Sequence, residues 1–301
     1  MTVKAHDLDK LGSTIWNQAT HIIRDGADVQ DQNQQRDTII LAIRLRTLAY
    51  LMLNAAHSSL SRHSKGNDAR IRVFRLALKT SRYCLENDAL DAALKVLESC
   101  SEYTSAVEQG SPVVRMANDD TDEQRRILQR LAVHYWLLRT MLASKTDRPD
   151  IAQHFYSKVD KSVLVGSADL RETAAELCYE SGRHLLSRQQ IDAARQWLER
   201  ANDLLSSDDM LDLDHDIEDL RLAIVATLVE ILSKGTDAHD IDQAWGLIDD
   251  LGKQYGLGDR LVVLNMQLHI ALRSSGAEDR VGPILNRMVK TVVLTEDTFR
   301  M

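Results

Sequence analysis

The sequence predicts an all-α protein, about 12 helices folded as hairpins and stacked into a superhelix, and three observations carry that expectation. Apolar residues recur at steps of three and four along most of the chain, the signature of amphipathic helices. Only three prolines occur in 301 residues, which favours long uninterrupted helices. The stretch Arg171 to Ser206, RETAAELCYESGRHLLSRQQIDAARQWLERANDLLS, reads as two helices folded back on each other, with small residues where they touch.

On the tetratricopeptide pattern of roughly 34 residues, Gly182 takes the small position of the first helix and Leu185 the large one after it. Ala194, Leu198 and Ala201 take the small, large, small series of the second helix and share one helical stripe. Alanine on that stripe lets two backbones approach, while Leu198 and Trp197 fill the space beside them. The series recurs as Ala93, Leu97 and Cys100 in LDAALKVLESC, and more weakly from Ala152 (with Tyr156 and Val159) and from Ala244 (with Ile248 and Leu251). The alanines at 93, 152, 194 and 244 are separated by 59, 42 and 50 residues. Divergent units with longer helices follow, and residues 1–301 are expected to form a single α-solenoid.

In chain order, Leu8, Leu11, Ile15, Ala19 and Ile22 mark an amphipathic helix from about Leu8 to Arg24. A polar loop from Gly26 to Gln35 leads to a helix over Arg36 to Leu60. The next pair, Ala69 to Leu85 and Leu90 to Ala106, is joined by a link short enough to force an antiparallel hairpin. After a long loop, Thr121 and Gln124 form a capping box opening a helix near Asp122 to Ser144. Pro149 starts its partner, which ends near Ser162. Beyond the central hairpin come helices at Ile217 to Ser233, Ile241 to Tyr255 and Arg260 to Leu272, then a last one with Pro283 in its first turn, ending near Val289. The ending KTVVLTEDTFRM has no polar capping helix, which points to a chain that is part of something longer.

Composition limits the function classes. A formal charge of −8 argues against a nucleic-acid grip, which needs Lys and Arg to displace counterions. No apolar run approaches the roughly 20 residues that span a bilayer, and the first residues lack the apolar core of a secretory signal. Cys84, Cys100 and Cys178 are isolated on apolar faces, the pattern of buried thiols in a reducing compartment, cytosolic or nuclear.

The acidic cluster Asp208, Asp209, Asp212, Asp214, Asp216, Glu218 and Asp219 fails as a calcium loop, because Ile217 and Ala223 stand where the turn glycine and the bidentate glutamate belong. It reads as an acidic loop entering a helix N-terminus. The ten histidines show no metal-ligand spacing; His134 and His184 lie near helix-pairing faces. No phosphate loop, nucleophile elbow or complete dinucleotide fingerprint occurs. No catalytic residue, cofactor, metal or small-molecule substrate is expected. The candidate binding residues are Arg72, Arg75, Lys79 and Arg82, whose steps of three and four put them in one positive stripe on a single helix. That stripe either faces a concave side and receives an acidic helix or peptide, or faces outward as a solvated face.

Three stretches resemble a known family: LDKLGSTIWNQAT near the start, RIRVFRLALKTSRYCLENDALDAALKVLESCSEY in the middle, and YESGRHLLSRQQIDAARQWLERANDLL followed by LRLAIVATLVEIL. The Leu11-Gly12 then Trp16-Asn17 pattern and the block Trp197-Leu198-Glu199-Arg200-Ala201 are the most specific parts. The chain is similar, from about Leu8 to Leu272, to meiosis-specific tetratricopeptide proteins of the fungal Spo twenty-two/Zip-four type. It departs from them at Thr14-Ile15 and between Gly110 and Asp120. The resemblance implies that this is the N-terminal part of a longer protein. The resemblance implies a nuclear scaffold on meiotic chromosomes that promotes crossovers and synaptonemal complex assembly. Its implied partners are other proteins of a synapsis-initiation complex, with no direct nucleic acid or membrane contact. A general tetratricopeptide adaptor for a peptide or regulatory subunit is the alternative, and a regulated enzyme subunit or a hydrolase hidden in the helices is a third, made remote by the lack of converging nucleophile, base and oxyanion elements.

Overall fold

The computed structural model describes residues 2–26, 31–60, 67–108, 119–206, 215–235, 238–273 and 277–291, and every regular element among them is an α-helix. Fourteen helices occur among the described residues, against the dozen expected. The chain divides into two compact units, Met1–Gly166 and Ser167–Met301. The first holds 23 Lys and Arg against 20 Asp and Glu, a formal charge of +3; the second holds 14 against 25, a formal charge of −11.

In the first unit, α1 (Thr2–Gly26) and α2 (Gln32–Leu60) form a long antiparallel hairpin. Its seam is a row of small residues spaced by seven: Ala5, Gly12, Ala19 and Gly26 on α1 and Ala42, Ala49 and Ala56 on α2, all buried. That period keeps one edge of each helix on the partner along the whole hairpin. The fit is close. A Cβ on Gly12 would lie 2.9 Å from Leu53 Cγ and 3.2 Å from Ala49 O, and one on Gly26 would lie 2.6 Å from Thr38 Cγ2. The seam therefore differs from the expected stripe of large residues on α1. Of that stripe only Ala19 is fully buried, and Leu11 is 52% exposed, because backbone proximity is set by the small row.

The helices α3 (Asn67–Glu86), α4 (Leu90–Ser99), α5 (Ser101–Glu108) and α6 (Asp119–Lys145) follow, then α7 (Pro149–Ser157) and α8 (Lys161–Val165). Two expected helices are each broken in two, which accounts for the higher count. Leu90 to Ala106 breaks at Cys100, whose backbone leaves the helical region at φ −105°, ψ 6°. Pro149 to Ser162 breaks at Asp160, whose carboxylate accepts from the Ser162 backbone N–H at 2.9 Å and so caps α8. The expected capping box is also corrected. Helix α6 already begins at Asp119, so Thr121 falls inside its first turn, and the Gln124 amide instead donates to Asp68 Oδ1 at 2.9 Å. The core between these helices is aromatic. Phe74 lies 5.4 Å from Tyr103 and 6.3 Å from Tyr135, centroid to centroid, and the Tyr103 hydroxyl donates to Asn54 Oδ1 at 2.6 Å.

The second unit contains α9 (Ala168–Ser187), α10 (Ile191–Leu205), α11 (His215–Lys234), α12 (Ala238–Lys253), α13 (Leu261–Ala271) and α14 (Ala277–Thr291). Its main core is drawn from α11, α12 and α13, with Val225, Val229, Leu232, Ala244, Ile248 and Val263 at the centre. Arg195 on α10 ties α12 down, donating to Asp240 Oδ1 at 3.1 Å and to Gln243 Oε1 at 2.7 Å. Helix α14 starts at Ala277, so Pro283 sits inside it rather than in its first turn. Asp279, whose carbonyl loses its amide partner there, is exposed to water. The tail after Thr291, the loop at 109–118 and most of the acidic cluster, 207–214, lie outside the described residues.

Three hairpins share one turn. Asp88, Asp147 and Gln189 have φ of 54°, 62° and 62°, each standing five residues before Ala93, Ala152 and Ala194. The following amide closes the same bond each time: Ala89 to Cys84 O at 2.8 Å, Arg148 to Ala143 O at 2.9 Å and Gln190 to Leu185 O at 3.0 Å. This is the Schellman arrangement, in which one left-handed residue ends the first helix and its neighbours satisfy the orphan carbonyls. The second helix then starts without a spacer.

Candidate protein-docking surface

The stripe singled out from sequence lies on α3, whose opposite side is packed by Ile71, Phe74, Leu78, Cys84 and Leu85. Arg72, Arg75 and Lys79 are exposed and Arg82 is half-exposed, so burial of the apolar face turns the basic residues to water. Their surroundings divide the four. Arg72 donates to Ser13 Oγ of α1 at 2.8 Å and lies 3.5 Å from Asp9 Oδ1. Arg82 pairs with Glu86 at 2.8 Å, one turn on. Arg75 and Lys79 form no ion pair among the described residues. Between the two ends stands a residue the sequence reading passed over. The Arg46 guanidinium of α2 lies 5.2 Å from the Trp16 ring of α1 and 4.8 Å from the Tyr83 ring of α3, a cation held by two aromatic faces. The signal was Trp16, which flanks the α1 stripe without belonging to it.

The exposed face of α3 is thus a positive one. Among the described residues, two cations without ion-pair partners, Arg75 and Lys79, are bracketed by two committed ones, Arg72 and Arg82.

The repeat positions are all buried: Gly182, Leu185, Ala194, Leu198 and Ala201 in α9 and α10, Ala93, Leu97 and Cys100 at α4, and Ala152 and Ala244 at α7 and α12. They hold helices together and touch no open surface. The cysteines are buried free thiols. Burial pushes Cys84 up to about 11 and Cys100 up to about 12, so neither is a ready nucleophile. His134 and His184 are half-buried on α6 and α9.

A concavity of about 480 Å³ lies between α11 and α13, lined by Ala226, Val229, Val262, Met266, His269 and Leu272 among others. His269 Nε2 is 3.3 Å from Ser233 Oγ there. That pair lacks the parts of a hydrolase site. Ser233 is only 3% exposed and donates its hydroxyl to Glu230 O, and the Glu230 carboxylate is engaged by Lys234 at 2.7 Å. No group of metal-ligating side chains occurs among the described residues.

Residues 142–301 match the family model described as "Meiosis protein SPO22/ZIP4 like". The match takes in the end of α6, all of α7 and α8 and the whole second unit; the α3 stripe lies before it. No curated protein matches the chain. Among solved structures, one described as "Computational Design of Self-Assembling Cyclic Protein Homooligomers" is 13% identical over 96% of this chain and 96% of its own, with a TM-score of 0.27, too shallow a likeness to bear on fold or function.

Proposed function

The chain belongs to the SPO22/ZIP4-like meiosis protein family, and from that premise we propose that it is a non-enzymatic protein-interaction scaffold in meiotic recombination. Its work is to promote crossover formation and synaptonemal complex assembly by holding other proteins of a synapsis-initiation complex at meiotic chromosomes in the nucleus. The observation that carries this reading is the family match over more than half of the chain. The architecture supports it: antiparallel helical pairs bury one side of each helix and leave long opposite sides free, as tetratricopeptide-like arrays do. We read the hairpins of both units as members of one such divergent array. The exposed face of α3, with Arg75 and Lys79 at its centre, is the proposed seat for an acidic helix or peptide of a partner.

The test is a double charge reversal, Arg75→Glu with Lys79→Glu. In meiotic cells, crossovers should fall and the proteins that co-purify with the wild-type chain should be lost, with vegetative growth normal and helix content unchanged. Retention of every co-purifying protein removes the α3 face as the seat. Normal crossovers in cells lacking the chain altogether remove the scaffold reading.

A further inference from the structure

Among the described residues, the first hairpin has an uncovered flank. On one side of the α1–α2 seam, α1 turns Asp9, Ser13 and Trp16 toward the rest of the unit, and α2 turns Arg46, Tyr50 and Asn54. The contacts are Asp9 and Ser13 to Arg72, Arg46 to Tyr83, Tyr50 to Ser99 at 3.0 Å and Asn54 to Tyr103. Helical periodicity then fixes what faces the other way. On α1 it is Leu8, Leu11, Ile15 and Ile22, and on α2 it is Leu41, Leu45, Leu48 and Met52. Leu11, Leu41 and Leu48 are 52%, 48% and 49% exposed, and the other five are half-buried. Among the described residues, α2 is the helix on which α1 packs extensively, and the exposure of Leu11, Leu41 and Leu48 leaves this flank open.

We propose that this flank seats a second copy of the chain, antiparallel, with α1 on α1 and α2 on α2 about a two-fold axis level with Ile15 and Leu48. The flank matches itself. The α1 row runs Lys4, Leu8, Leu11, Ile15, Gln18, Ile22, Asp25 in alternating steps of four and three, the period of a helix–helix seam. It carries one charge of each sign, at opposite ends, and both are exposed. Antiparallel pairing about Ile15 sets Lys4 against the partner's Asp25 twice over, and Leu8 against the partner's Ile22. A parallel pairing would put like charges together. The same axis serves α2. Gly12 faces the stretch between Ala49 and Leu53, and Gly26 faces Thr38, so Ile15 and Leu48 lie at one height. Leu48 then meets the partner's Leu48, Leu45 the partner's Met52, and Leu41 the partner's Ala55. Two helices over the span from Lys4 to Asp25 present roughly 600 Å² per copy, about 1,200 Å² in all, the lower edge of specific dimer interfaces. A dissociation constant in the micromolar range is expected.

The experiment is sedimentation equilibrium on the full chain, which should show a species of twice its 34.0 kDa mass. Leu48→Glu sets two carboxylates on the axis and should weaken the dimer about 100-fold or more, with the far-UV spectrum unchanged. Lys4→Glu and Asp25→Lys should each weaken it, and the two together restore it to within about threefold. Ile15→Cys needs no loss of packing: it should give an intermolecular disulfide under mild oxidation where the control Lys10→Cys does not, and it decides the matter if Leu48→Glu fails to fold. A wild-type chain that stays monomeric up to about 100 µM overturns the proposal, whatever other protein then covers the flank. So does a Leu48→Glu dimer of unchanged strength, or a charge swap that does not restore pairing.

Discussion

Gly182 and Leu198 are packed so closely that a Cβ on the glycine would lie 2.8 Å from Leu198 Cγ, with Ala194 O at 3.3 Å. Gly12 stands in the same setting, 2.9 Å from Leu53 Cγ and 3.2 Å from Ala49 O. In each hairpin a glycine on the first helix lies over an alanine carbonyl of the second and over the leucine one turn beyond. The two pairs of helices are thus joined by one local device.

From this, Gly182→Ala and Gly12→Ala should each destabilise the protein by about 1–3 kcal/mol, the usual cost of forcing an extra carbon into a filled seam. A control comes from Gly246 in α12, where a Cβ would meet nothing within 4 Å. There the same substitution should stabilise by about 0.5–1 kcal/mol through helix propensity alone. Urea unfolding of the three variants measures the contrast, and equal effects at all three would refute the close-packing account.

The shared turn gives a second prediction. Gln189 holds φ at 62° with a full side chain, a backbone state that costs most residues about 1 kcal/mol relative to glycine. Gln189→Gly should therefore stabilise the α9–α10 hairpin by up to about 1 kcal/mol, less the entropy that glycine adds to the unfolded chain. Gly256, at φ 66°, should show the reverse on change to alanine. Thermal melts of both variants read the two signs directly.

How far these features could be read from sequence depended on spacing. Gly182 and Ala194 are 12 residues apart, a separation the repeat pattern specifies, and that hairpin was legible. Gly12 and Ala49 do the same work 37 residues apart, because α1 and α2 are long, so the motif was hidden behind helix length. The row of small residues at 5, 12, 19 and 26 was the available signal, and it lies beside the stripe of large residues that marks α1 as amphipathic, sharing only Ala19 with it. The α3 stripe was legible because helix periodicity alone groups Arg72, Arg75, Lys79 and Arg82. Which of them remain open was not legible, since Arg72 is held by Ser13, 59 residues away, and no local pattern encodes that contact.

His57 makes the first unit sensitive to acid. Burial, and then the charge of Arg70, lower its pKa from the ordinary 6.5, and its ring lies 6.2 Å from Tyr103. The folded state therefore binds this proton less readily than the unfolded chain does. The stabilising contribution is fully present above pH 6.5 and is lost as pH falls from there through the lowered folded value. Stability followed by urea titration should decline over that window, and His57→Gln should flatten that part of the profile. An unchanged profile would mean that the ring carries no linkage.

In the second unit, Arg221 is only 4% exposed, donates to Leu205 O at 2.7 Å and lies 3.6 Å over the Tyr255 ring. One guanidinium thus joins the last carbonyl of α10 to Tyr255, two residues past the end of α12. Burial lowers its pKa, yet an arginine remains charged at any working pH, so the carbonyl bond and the ring contact both act on a full cation. Arg221→Lys preserves the charge but loses the planar stack, and it should cost about 1–2 kcal/mol. Arg221→Met removes the charge and the bond to Leu205 O, for a similar or larger loss. A double-mutant cycle with Tyr255→Leu separates the two contributions. Coupling of about 0.5–2 kcal/mol is expected in the cycle built on Arg221→Met. Strict additivity there would show that the aromatic ring only fills space beside Arg221.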